Sequence, residues 1–419
     1  MELQFRNLKA SRLKIPELCV PAGNLNILKY AVAYGADAVY IGGGRFNLRS
    51  LGDNFSIPEL NEAVQYAHSK SVKIYFTLNA IISEHEIEDL RKYIHRIKNI
   101  AFDAIIVSDI SVLQLVKEII PDIRIHISTQ TSTSNHIAVN FWANLGASRV
   151  NLARELKYSE IKNIVKKSKI AIEIFIHGAL CISYSGRCML SKYMSGRDAN
   201  KGQCSNTCRW KYYLMEEKRP NMFFPIYQDK RGTYIYNSRD LCLLGKLDLI
   251  VDADVHSLKI EGRNKTENYV SLTTWVYRKA LDLIAEGKFT EQKKVYLLKE
   301  LDKATHRNFT TGFMFLDGKE SPELTENDNI GYIKKYRFVG AVKGYSEKYK
   351  GPIIKARNQF RVGDILDILQ PNENPKKFKL QKMLNLTTRE FTEVANTNDE
   401  IIISNIGNLD KYSLLRVKM

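Results

Sequence analysis

No run of about 18 or more uncharged apolar residues occurs in this 419-residue chain, so a transmembrane helix is not expected. Its opening, MELQFRNLKASRLKI, is basic but lacks the apolar core of a secretory signal, and cytoplasmic residence is the expectation that follows. No repeat recurs at solenoid periods, and there is no low-complexity tract. The motifs of common hydrolases are missing: there is no His-Glu-x-x-His for zinc and no Gly-x-Ser-x-Gly elbow. A radical S-adenosylmethionine motif is also absent, since the residue three positions after Cys208 is Lys211 rather than a cysteine. Acid is the scarcer charge, with 46 Asp and Glu against 63 Lys and Arg and a net charge of +17. Such an excess suits a polyanionic partner, RNA first among them, through phosphate neutralisation. A lysine-rich composition with no partner is the competing explanation.

What is present is an alternation. From residue 16 to about 286, short β-branched apolar runs alternate with amphipathic helical stretches, the pattern of βα units around a parallel sheet. Strands are expected at Leu18–Val20, Ala38–Ile41, Lys73–Leu78, Ala104–Val107, Arg124–Ile127, Arg149–Leu152, Ala171–Ile176 and Ser257–Ile260. Eight such units predict an α/β fold, a TIM-like βα barrel over residues 1–290, with function at the carboxyl ends of its strands. An insertion at 178–256 precedes the eighth strand, and connections of that length are usually functional. A linking region at 291–333 leads to short strands such as Phe338–Val342, Ile365–Ile368, Thr387–Val394 and Ile401–Ile403, read as a small β-barrel domain at 334–419. From Lys335 onward there are 16 basic against 9 acidic residues, which fits either an RNA-contacting appendage or a merely solvated surface.

Five of the six cysteines fall inside the insertion, as Cys181-x6-Cys188-x15-Cys204-x3-Cys208 and then Cys242. In a reducing compartment structural disulfides are not expected, and soft thiolates suit an iron–sulfur cluster or zinc. Only Cys204 and Cys208 form a tight pair, which favours a cluster, of the 4Fe–4S kind, over a structural zinc site. Cys181, Cys188, Cys204 and Cys242 are the expected metal ligands, with Cys208 the alternative fourth. Cys19, inside the first strand, reads as a core residue. Basic and aromatic residues crowd the same insertion: Arg187, Lys192, Tyr193, Arg197, Lys201, Arg209, Trp210 and Lys211. They suit single-stranded RNA, cations on phosphates and rings on bases, or else the rings pack the insertion onto the barrel.

The stretch EIFIHGALCISYSGRCMLS at Glu173–Ser191 closely resembles the signature of the collagenase-like peptidases of unknown catalytic type. Further likenesses lie in PAGNLNILKYAVAYGADAVYIGG near the start, Ser128–Gln130, Leu152–Glu155, Cys204–Tyr212, Asn237–Cys242, Val255–Arg263 and Asn308–Phe313, so the resemblance spans most of the chain. Length and the single barrel with a small β domain are most similar to the tRNA-hydroxylating members of that family. The resemblance implies formation of 5-hydroxyuridine at the wobble position of tRNA, with an iron–sulfur cluster and prephenate required. Peptidase activity, hydroxylation of another RNA and a non-catalytic RNA-binding role are the alternatives.

On this reading Arg154, Lys259 and Arg263, at strand ends, are expected to hold a dicarboxylate such as prephenate, because guanidinium groups recognise carboxylates bidentately. His177, Glu155 and Glu261 are the candidate proton-transfer groups. Each of these six could instead be an ion-pair member or a cap at a strand end. The sequence leaves the electron partner unidentified.

Overall fold

The computed structural model describes residues 14–181, 183–209, 227–229, 232–234, 239–315 and 332–419. Period-two alternation decides which way each strand faces. In Ala38–Ile41, Val39 and Ile41 join the large core between strands and helices, while Ala38 and Tyr40 join Cys19, Tyr75, Ala104 and Ile106 in a separate interior cluster. Eight strands repeat this arrangement: β1 Glu17–Pro21, β2 Ala38–Ile41, β3 Lys73–Leu78, β4 Ala104–Val107, β5 Ile125–Ile127, β6 Ala147–Asn151, β7 Ala171–Ala179 and β8 Ser257–Ile260. Neighbours are parallel, and β8 pairs with both β7 and β1, which closes the barrel.

Several polar residues at strand ends are helix caps. The side chains of Asn24, Asp109 and Asn135 accept from the backbone N–H of Ile27, Ser111 and Ala138, and Ser56 forms a capping box with Glu59. Strand β7 runs three residues past its expected end. Gly178, at φ +106°, permits this, because a Cβ there would lie 2.5 Å from the Glu261 carbonyl oxygen. The extension pairs antiparallel with the strand Asp240–Cys242, which returns from the insertion.

The stretch after residue 290 also builds onto the barrel. Helix Glu291–Leu301 packs beside the long helix Glu267–Ala285, and Phe309–Thr310 adds a parallel strand to Asp240–Cys242. From Tyr336 an eight-stranded antiparallel sheet forms a half-barrel over its own core of Val339, Ile354, Phe360, Ile368 and Leu415. The expected strand Thr387–Val394 is interrupted: Asn385 Oδ1 accepts from Thr387 N at 2.9 Å and turns the chain, leaving only Phe391–Thr392 and Val394–Ala395 extended. This sheet is tied to the barrel by Lys303 Nζ to Asp367 Oδ2 at 2.6 Å and Arg357 Nη2 to Glu267 Oε1 at 2.7 Å.

Candidate active site at the barrel mouth

The barrel interior is polar along its axis. Glu173 on β7 accepts from Lys259 Nζ at 2.9 Å, Asn151 Nδ2 at 2.8 Å and Ser257 Oγ at 2.9 Å, and faces Arg149 Nη1 at 3.4 Å. Burial works against the Glu173 carboxylate, but Lys259 and Arg149 hold it below its usual range. Burial likewise opposes the Lys259 charge, and Glu173 outweighs it to keep the ammonium above its usual range. Lys259 Nζ also sits 4.5 Å from the centre of the Tyr40 ring. It forms part of the floor of a cavity of about 460 Å³ at the carboxyl ends of the strands.

Five cations line that cavity, Arg49, Arg154, Lys259, Arg263 and Lys265, against one carboxylate, Glu261. Arg49 Nη2 donates to Glu261 Oε1 at 2.8 Å, and Tyr40 OH to Oε2 at 3.3 Å. Burial raises the Glu261 carboxyl, yet Arg49 beside it brings the balance below the usual range. Arg263 differs. Its guanidinium donates to Asn47 Oδ1 at 3.0 Å, Thr77 Oγ1 at 3.2 Å and Asn54 Oδ1 at 2.7 Å, all neutral groups, and burial pulls its pKa down to about 10. Among the described residues no carboxylate stands within ion-pair distance of Arg263 or Arg154. Gly42 is needed below Arg263, since a Cβ there would come within 2.3 Å of Nη1. An anion entering this cavity meets a buried guanidinium, that of Arg263, which no carboxylate among the described residues pairs.

Four cysteines face the same cavity: Cys181, Cys188, Cys204 and Cys208. Their segments are pinned from several sides. Asn200 clamps the Cys188 backbone in both directions, at 3.2 Å from its N–H and 3.0 Å to its carbonyl. Cys204 Sγ accepts the Asn206 N–H at 3.4 Å. Four soft sulfur donors lining one cavity match an iron–sulfur cluster or zinc in kind. Their side chains are not drawn into a closed coordination sphere, and among the described residues no three His, Cys, Asp or Glu groups are gathered at ligating distance.

Cys242, the expected fourth ligand, stands apart from these four. It is buried opposite His177 in the antiparallel pairing, next to Tyr277, where burial pushes its thiol up to about 11. His177 shares that enclosure. Its ring lies between Tyr269, Tyr277 and Phe309, outside the mouth cavity, and burial lowers its pKa to about 3. Glu155 is also engaged elsewhere: its two oxygens accept the Ser185 N–H and Oγ–H, each at 2.6 Å, holding Ser185 at φ 45° in the cysteine loop.

The cations of the insertion divide similarly. Lys201 is anchored to Ser83 Oγ at 2.6 Å and to Glu86, and Arg187 Nε donates to the Gln130 carbonyl at 2.6 Å. Lys192 is 3.5 Å from Asp198 but largely exposed, Arg197 is exposed, and Tyr193 is 86% exposed. The Arg209 side chain, Trp210 and Lys211 lie outside the described residues. Site residues that sequence reasoning missed include Arg49, Tyr40, Asn151 and Lys265. Tyr40 and Asn151 were readable as inward positions of strands; Arg49 and Lys265, in loops, carry no periodic signal.

Comparison with known proteins places this architecture. Residues 23–323 match peptidase family U32, and residues 334–416 match the peptidase family U32 C-terminal domain. The chain is 39% identical to tRNA hydroxylation protein P1 of Bacillus subtilis (strain 168), covering 85% of this chain and 84% of that one. It is 36% identical to tRNA hydroxylation protein P of Escherichia coli (strain K12), covering 88% and 89% respectively. A 23S rRNA 5-hydroxycytidine C2501 synthase from the same strain is 35% identical over 78% of this chain and 48% of its own length.

Proposed function

Since the chain belongs to peptidase family U32 but brings no hydrolytic constellation to its cationic, thiol-lined mouth among the described residues, we propose that it is an RNA hydroxylase. The substrate is a wobble uridine of tRNA, the product 5-hydroxyuridine, prephenate or a similar dicarboxylate the co-substrate and an iron–sulfur cluster the cofactor. One observation carries the reading: Cys181, Cys188, Cys204 and Cys208 share a single cavity with Arg154 and Arg263, whose charges no carboxylate among the described residues pairs. The names of the two tRNA-hydroxylating relatives and of the rRNA hydroxycytidine synthase support the reaction class.

A base must leave its stack to enter such a cavity. Exposed Arg187, Lys192 and Arg197, in the cysteine-bearing segment, supply phosphate contacts, and Tyr193 a stacking face. Arg263 and Arg154 bind the carboxylates of the co-substrate, and Lys259 completes the cationic floor. Glu261, at the mouth and ionised, is the proton acceptor, with Arg49 fixing its orientation. When bound, the cluster supplies redox or Lewis-acid chemistry, held by Cys181, Cys188, Cys204 and a fourth thiolate; Cys208 shares their cavity and Cys242 does not.

Nucleoside analysis of tRNA tests the reading. In a strain lacking this gene and any oxygen-dependent enzyme making the same nucleoside, 5-hydroxyuridine is expected to vanish, to return with the wild-type gene, and to stay absent with Cys181→Ala. Unchanged 5-hydroxyuridine on deletion contradicts the proposal. Cleavage of denatured collagen that persists in Cys181→Ala favours a peptidase instead.

A further inference from the structure

The mouth cavity is not the only opening on the barrel axis. At the opposite end, where strands begin, a second cavity is lined by Glu17, Lys73, Arg149, His256 and Arg278. Between the two runs a continuous line of hydrogen bonds, and strand register produces it. Glu17 of β1, Ser257 of β8 and Glu173 of β7 are register partners across adjacent strands, so their side chains meet at one level of the interior. Ser257 Oγ lies 3.3 Å from Glu17 Oε1 and 2.9 Å from Glu173 Oε2. The other Glu173 oxygen accepts Lys259 Nζ at 2.9 Å, and Lys259 lines the mouth cavity. Glu17 Oε2 accepts from Lys73 Nζ at 2.9 Å, and Lys73 is half exposed.

We infer that Glu17, Ser257 and Glu173 form a proton relay through the barrel, joining Lys259 in the mouth to solvent at the far end. Each member can both give and take a proton, which the adjacent Arg149 cannot, and the serine hydroxyl lies within hydrogen-bond distance of both carboxyl groups, donating its single proton to one of them at a time. When the Lys259 ammonium gives a proton to a group in the mouth, an N–H bond breaks there. Glu173 and Glu17 are ionised at rest, so the replacement proton comes from solvent beside Lys73: Glu17 takes it and passes it to the Ser257 oxygen as that hydroxyl gives its own proton to Glu173, and Glu173 hands it to the Lys259 amine, which restores the N–H bond and leaves both carboxylates ionised again. Each transfer forms one O–H or N–H bond and breaks another, with no electrons moved. The inference rests on the proposed function, because an RNA seated on the mouth closes the direct route to water and leaves the far end as the way in.

Ser257→Ala cuts the relay without changing charge, and Ser257→Thr keeps the hydroxyl. With holoenzyme purified anaerobically and equal thermal stability confirmed, the turnover of Ser257→Ala on tRNA is expected to fall on the order of tenfold or more, with KM unchanged and Ser257→Thr restoring it. The wild type is expected to show a multi-proton solvent isotope effect that Ser257→Ala loses. If Ser257→Thr does not fold, Glu17→Gln, which interrupts the solvent end without touching Lys259, is expected to give the same loss of isotope effect. A Ser257→Ala enzyme with wild-type turnover overturns the relay, as does slower turnover with the isotope effect intact. A wild-type protein that leaves tRNA unmodified overturns the proposed function, and the relay with it.

Discussion

The barrel interior and the barrel mouth treat charge in opposite ways. Inside, Glu17, Arg149, Glu173 and Lys259 are each matched by an opposite charge within 3.4 Å, and further hydroxyl and amide groups fill the remaining bonds. At the mouth Arg263 is as deeply buried as Lys259, yet its hydrogen-bond partners among the described residues are neutral, and its pKa is depressed where that of Lys259 is raised. Burying a charge without a partner is costly, so a protein keeps one where something else will pair with it. The interior is a finished structure; at the mouth the proposed function supplies the missing partner as an anionic co-substrate.

Breaking the interior is expected to have the largest effect. Glu173→Gln strands Lys259 in low dielectric, while Arg149 keeps Glu17 at 2.6 Å, and should destabilise the fold by about 3–5 kcal/mol in denaturant titrations. A smaller effect separates the mouth from the aromatic enclosure behind it. His177 is held neutral by burial, at about 3 against about 6.5 unfolded, so its depressed pKa contributes stability that is complete above about pH 6.5. As pH falls from there toward 3 the unfolded chain takes up the proton first, and stability drops by up to about 1.4 kcal/mol per pH unit. His177→Phe should flatten that slope, and if His177 instead served catalysis at the mouth, tRNA modification would be lost at neutral pH as well. Arg263→Met sharpens the comparison further: stability should stay within about 1 kcal/mol of wild type, because the lost charge was unpaired, while 5-hydroxyuridine disappears. Least of all, Lys192→Ala should lower the slope of log binding constant against log salt for RNA by about 1, leaving modification at low salt intact.

Much of the interior was legible in the sequence and much of the mouth was not. Ala38–Ile41, Lys73–Leu78, Ala104–Val107 and Ser257–Ile260 lie where period-two alternation and β-branched residues put them, because side-chain burial on two faces dictates both. His177 is read as a mouth residue because it directly follows the seventh expected strand, Ala171–Ile176. A register shift between Lys259 and Ile260 sets Ile260 opposite His177, so the histidine turns outward to Tyr269 and Tyr277, and Cys242 across from it is drawn into the same enclosure. No local pattern announces such an irregularity. Glu155 was read as chemistry because it follows a strand, but its partner Ser185 lies 30 positions away in the cysteine loop. The pairing of Glu173 with Lys259 spans 86 positions, a relation that only the closed barrel creates.

The cysteine-lined cavity links both regions to function, and iron is its most direct probe. Protein purified without oxygen is predicted to carry iron and acid-labile sulfide in equal amounts, with visible absorption that Cys188→Ser abolishes. A colourless wild-type protein free of iron and sulfide would contradict the account.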